Sequence, residues 1–140
     1  MHLSLTIGVA DLAVTMNFYR QIPGLQPQWL TDAQGNRTAL LVAAAGGSIL
    51  FQSLQSMERQ HPALLQHLGR ERLGVGVQLE LTCPDLTPVY RTAQRQHWQI
   101  LFELEDCQHR RRELWLQDPD GYLLVLNEEA DVPDAMEASR

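Results

Sequence analysis

Two short rows of polar side chains hold most of the chemistry available to this chain. In Val75–Cys83, Gln78, Glu80 and Thr82 alternate with Val77, Leu79, Leu81 and Cys83, so Gln78 and Glu80 share one side of an extended strand. Near the start, His2, Ser4, Thr6 and Gly8 alternate with Leu3, Leu5, Ile7 and Val9 in the same way. A carboxylate such as Glu80 in a desolvated recess can serve as a general base, which makes it the candidate catalytic residue. Joined by His2 and Gln78, it would offer a subordinate alternative, a divalent metal site. Catalytic transition-metal centres want about three His or carboxylate ligands, and that set supplies two. His61 and His67 are six apart and do not share a helical face. The chain has no lysine, so Schiff-base chemistry is closed to it.

The elements that position these rows follow from a repeat. Asp11-Leu12 returns as Asp85-Leu86, Gly47 as Gly121 and Leu50 as Leu124, each 74 positions on. A fixed offset predicts two copies of one supersecondary unit. In the first, the alternating N-terminal strand leads to Asp11, whose carboxylate can cap a helix carrying Leu12, Met16 and Tyr19 on one face. Pro23-Gly24 stops the helix, and the turns at Gly35-Asn36 and Gly46-Gly47 separate three further strands. The second copy reads the same way. Val75–Cys83 is a strand, Asp85 caps a helix to about His97, and strands follow at Gln99–Glu103, Glu113–Gln117 and Leu123–Asn127. Asp118-Pro119-Asp120-Gly121 is a strong turn signal before the last strand. The expected fold is α+β, a single domain over 1–129 built of two βαβββ modules, about 1–56 and 74–129. A short helical linker, 57–73, opens at Pro62 and carries Leu64, Leu65 and Leu68. An acidic tail spans 130–140.

Composition narrows the function classes. A net charge of −6 argues against a nucleic-acid surface, which needs clustered cations. The basic run Arg110-Arg111-Arg112 reads as a solvated loop, with an anion contact as the alternative. No apolar run approaches the ~20 residues of a membrane helix, and the N-terminus lacks the basic region of a signal peptide. Cys83 and Cys107, the two cysteines, read as reduced thiols in a cytoplasmic protein.

Asp11-Leu12, Phe18-Tyr19 and Gly24-Leu25, followed by Asp118-Pro119-Asp120-Gly121, resemble the vicinal oxygen chelate superfamily, which includes glyoxalase I, bleomycin-resistance proteins and extradiol dioxygenases. The resemblance covers residues 2–129 and implies sheets curled around a cup-shaped site, in a homodimer. It also implies a divalent metal, with ligands on the first and last strands of each module. Those positions fall on Ser4, Phe51, Gln78 and Val125. Two of these cannot bind a metal and two are neutral oxygen donors, so no metal or other cofactor is expected.

Strand parity then fills the cup. Ser4, Thr6, Phe51, Gln78, Glu80, Val125 and Asn127 should point inward with the former ligand positions, joined by Trp115, with Trp29 as a neighbour. This mixture of aromatic, aliphatic and a few polar groups is the usual lining of a small-molecule pocket. The first expectation is metal-free binding of a small planar, possibly cationic, organic molecule, as bleomycin-resistance-type proteins do. A glyoxalase- or dioxygenase-like enzyme with a relocated metal is the alternative. A retained fold with a filled cup is the third reading.

Overall fold

The computed structural model describes residue 1 and residues 3–128. It is α+β, with two four-stranded mixed sheets and three α-helices. The first module runs β1 (Thr6–Val9), α1 (Leu12–Tyr19), β2 (Gln26–Thr31), β3 (Arg37–Ala44) and β4 (Gly47–Ser53). The helix α2 (Leu54–Gln60) and a 3-10 turn at Leu68–Arg70 lead to the second module. That module runs β5 (Gln78–Cys83), α3 (Thr87–Gln96), β6 (Gln99–Asp106), β7 (Arg111–Gln117) and β8 (Leu123–Glu128). The sheets repeat one topology, β1-β4-β3-β2 and β5-β8-β7-β6, with a parallel pair at one edge and antiparallel pairs elsewhere. Among the described residues no helix is long and apolar enough to cross a membrane. The acidic tail and His2 lie outside the described residues.

The helices α1 and α3 start where a carboxylate can satisfy free backbone donors. The Asp11 carboxylate accepts from the N–H groups of Ala13 at 2.9 Å and Val14 at 3.3 Å. Asp85 accepts from Thr87 N–H at 2.9 Å, and Glu128 accepts from Leu86 N–H at 3.1 Å, so two carboxylates serve the start of α3. Each helix then covers one face of its own sheet. Tyr19 of α1 packs its ring 5.0 Å from that of Phe51 in β4. Val89 and Ala93 of α3 join the core formed by Leu114, Leu116, Leu124 and Leu126. The linker differs from expectation: its helix forms at Leu54–Gln60, directly after β4, because Ser53 caps it through Ser56 N–H at 3.1 Å. Pro62 stands beyond its end.

The Asp118–Gly121 turn holds the modules together. Tyr19 O–H donates to Asp118 Oδ2 at 2.8 Å, and the other Asp118 oxygen accepts from the N–H groups of Asp120 and Tyr122, both at 2.9 Å. Ala10 N–H donates to Asp120 Oδ1 at 2.8 Å, and Tyr122 O–H donates to Gly8 O at 2.7 Å. Beside this network Phe18 stacks on Trp98, centroids 4.2 Å apart. Burial outweighs the three donors and raises the Asp118 carboxyl above the usual carboxylate range. Burial, and then Asp118 itself, push the Tyr19 phenol far up as well.

The folded chain therefore holds the Asp118 proton more tightly than the unfolded chain does. This group's contribution to stability is largest below its ordinary pKa and is lost as pH rises through the raised one. The destabilisation caused by Asp118→Asn should thus shrink between about pH 4 and about pH 7, measured by urea unfolding of both proteins at each pH. A cost that grows over that interval would contradict the assignment.

Candidate functional site

The face of the second sheet turned away from α3 is open. The register places Glu80 of β5, Val125 of β8, Trp115 of β7 and Phe102 of β6 side by side in one row across all four strands. The next row is Thr82, Asn127, Glu113 and Leu104. A recess of about 420 Å³ lies over these rows, and every residue lining it belongs to the second module. Its floor is Val125, 4 % exposed. On one flank stands Trp115, and beyond it, outside the lining, the Phe102 ring lies 4.8 Å from the Trp115 ring with a 50° tilt. On the other, Asn127 Nδ2 donates to Glu80 Oε1 at 2.6 Å. Strands stand about 4.8 Å apart, so Glu80 and Trp115 are separated by roughly 10 Å across the floor.

The polar groups here are arranged rather than scattered. Trp115 Nε1–H donates to Glu113 Oε1 at 2.5 Å, which fixes the indole ring on the sheet. The other Glu113 oxygen lies 3.7 Å from Arg111 Nη2. Glu80 has the neutral Asn127 amide as its partner and makes no ion pair among the described residues. Its carboxylate is therefore open to a cation arriving from solvent.

Of the side chains expected in a cup, Gln78, Glu80, Trp115, Val125 and Asn127 come together around this recess. Ser4, Thr6, Trp29 and Phe51 do not. Ser4 and Thr6 are exposed on the first module, Ser4 ahead of β1 and Thr6 at its first residue. Phe51 is fully buried, in a row with Ile7, Leu40 and Trp29 on the α1 side of the first sheet. The inward placement of Phe51 is corrected by one residue of turn length. Ala43 pairs with Ser48 around four residues, whereas Gln117 pairs with Leu123 around five. Thr6 and Glu80 are thus 74 apart, but their partners Leu50 and Val125 are 75 apart. A slip of one residue turns every side chain of a strand to its opposite face, so Leu50 takes the place expected of Phe51. Trp29 carries the Arg37 guanidinium 4.5 Å above its ring, remote from the recess residues in the sheet order.

The first sheet's own open face is partly occupied. Leu54 and Met57 of α2 lie so close to Gly8 that a Cβ there would sit 2.8 Å from Leu54 Cδ2 and from Met57 Sδ. The second sheet has no such cover among the described residues.

Glu113 and Phe102 join the site without having been expected. Glu113 is two residues before Trp115 and was within reach of strand parity. Phe102 was not, because β6 carries an extra residue between Ile100 and Phe102, opposite Leu116 and Trp115, and the alternation breaks there.

The donor set does not fit a divalent transition metal. Leu50 or Phe51 and Val125 offer no ligand, Gln78 is a weak neutral one, and no group of three His, Cys, Asp or Glu side chains is placed to hold an ion among the described residues. The alternative using His2 with Gln78 and Glu80 depends on a side chain outside the described residues.

The topology and the comparisons now agree on the family. The sequence profile of the Glyoxalase/Bleomycin resistance protein/Dioxygenase superfamily matches residues 2–126, and the chain belongs to that superfamily. A family enzyme from Burkholderia phytofirmans has a similar structure, with TM-score 0.65 and 16% identity, covering 89% of this chain and 95% of that one. A bleomycin-binding protein in complex with bleomycin gives TM-score 0.58 and 19% identity over 93% of this chain and 99% of that one. The fosfomycin resistance protein FosX from Listeria monocytogenes gives 0.58 and 16% over 94% of each chain. At these identities the likenesses establish the fold. Comparison with curated proteins finds no match.

Proposed function

We propose that the open face of the second sheet binds a small planar organic cation, and that the protein acts by binding rather than by metal-assisted turnover. The observation that carries this reading is the row Glu80–Val125–Trp115–Phe102. It combines an apolar floor, two aromatic rings and a carboxylate without a cationic partner among the described residues. A flat ring lying on Val125 would meet the Trp115 face, and its positive charge would meet Glu80. The bleomycin-binding protein lends support, since a protein of the same fold holds bleomycin.

With an N-methylacridinium probe, Trp115→Ala should weaken binding roughly 2- to 30-fold, the equivalent of about 0.5–2 kcal/mol for one cation–π contact. Glu80→Gln should weaken the cation and leave a neutral planar analogue unchanged. Calorimetric titration checks both, with thermal melts to show that the variants stay folded. Equal affinity of wild type and both variants would remove the pocket from these residues.

We further propose that the protein is a cytoplasmic homodimer. The recess is lined by one module, and Leu3, Leu5 and Val75 are exposed at or beside the outer strands β1 and β5. A second copy meeting the chain along these outer strands would cover them. Sedimentation of the purified chain as a strict monomer, with and without probe, would overturn this part.

A further inference from the structure

The charges around the recess are equal in number, three arginines and three glutamates, but they do not all cancel in place. Arg112 is committed to the protein. Its Nη1 lies 3.1 Å from Glu128 Oε2, donates to Thr87 Oγ1 at 3.0 Å and lies 3.6 Å from Asp85 Oδ1. Arg111 meets Glu113 at 3.7 Å through one nitrogen, which leaves most of its five donors to solvent. Asp106, opposite Arg111 in the register, is occupied by its own hairpin. It accepts from Gln108 and His109 N–H, each at 3.1 Å, and lies 2.7 Å from His109 Nδ1. Arg110 makes no ion pair among the described residues and stands at φ 51°, a backbone setting that arginine does not favour.

What survives the pairing is a dipole along the recess. Glu80 and the aromatic row form the negative end, and Arg110 with the free side of Arg111 forms the positive end. The two ends are set apart along β7, where Trp115 and Arg111 are four residues, or about 14 Å, from each other.

Resting on the proposed cation site, we infer that the ligand is dipolar: a planar cationic head over Val125 and an anionic group at Arg110 and Arg111, about 10–14 Å from the head. A plain monocation would satisfy Glu80 and leave the arginines in water. A molecule carrying both charges at that spacing satisfies both ends and is attracted in one orientation.

The test uses two acridinium probes with the same long alkyl chain on nitrogen, one ending in sulfonate and the other in hydroxyl. They are titrated into wild type and the double variant R110Q/R111Q, which leaves Arg112 and its network intact. The sulfonate probe should bind wild type roughly five- to tenfold more tightly than the hydroxyl probe, and added salt should erode that margin. In R110Q/R111Q the two probes should bind alike, whatever common change in affinity the loss of two positive charges brings to both. Equal binding of the two probes by wild type, or a margin that persists in the variant, would overturn the dipolar ligand while leaving the cation site standing. Failure of both probes to bind wild type would remove the cation site and this inference together.

Discussion

Gly74→Ala is expected to cost about 3–5 kcal/mol of stability, a large share of what holds a domain of this size folded. Gly74 stands at φ +84°, where a side chain is strained, and a Cβ built there would lie 2.3 Å from Gly121 O and 2.7 Å from Gly121 C. Neither atom belongs to a flexible side chain, so neither can give way without moving the turn. That turn carries the bonds from Asp118, Asp120 and Tyr122 to the first module. The clash is therefore transmitted from the linker to the joint between modules. Gly121→Ala is the informative comparison. Gly121 also has a positive φ, of +97°, but its Cβ would meet Leu73 O at an ordinary 3.5 Å, so it should pay the strain of about 1–2 kcal/mol alone. Urea unfolding of the two variants separates the effects, and equal costs would mean that the close approach of Gly74 to the turn is wrong.

Asp118→Ala should be nearly as damaging, at about 3–5 kcal/mol, with a fall in Tm of roughly 10–20 °C. The substitution strands three donors at once: Tyr19 O–H, which is buried, and the N–H groups of Asp120 and Tyr122. Leaving a buried donor unpaired costs more than the net worth of the bond, about 1–3 kcal/mol each, and partial relaxation keeps the sum below three full penalties. Tyr19→Phe removes one partner of the same network and should cost about 1–2 kcal/mol. A small loss in Asp118→Ala, comparable with that of Tyr19→Phe, would show that the modules are held chiefly by apolar packing such as Phe18 on Trp98.

The same turn shows where sequence reasoning reached and where it stopped. Asp118-Pro119-Asp120-Gly121 announces a tight turn, because each residue type has a local reason to be there. That it also binds α1 is invisible, since its partners Tyr19, Ala10 and Gly8 are about a hundred positions away and no periodicity links them. Strand alternation was sufficient for β5, where Gln78 and Glu80 do face the recess, and for the side of the sheet on which Trp115 and Val125 stand. It failed at β4 because register depends on turn length. Gly46-Gly47 looks like the counterpart of the later turn, yet encloses one residue fewer, and Phe51 goes into the core. It failed at β6 because the extra residue before Phe102 breaks the period of two. The two βαβββ modules were legible because Asp11 and Asp85, with the alternating strands ahead of them, are local signals.

The central claim, that a planar cation sits on the Glu80–Val125–Trp115 row, is most directly tested by mapping amide and indole N–H chemical shifts during titration with N-methylacridinium. Saturable changes at Glu80, Val125, Asn127 and the Trp115 indole, with the Trp29 and Trp98 indoles unmoved, are the predicted result. Changes centred on Trp29 and the first sheet, or none at millimolar probe, would contradict it.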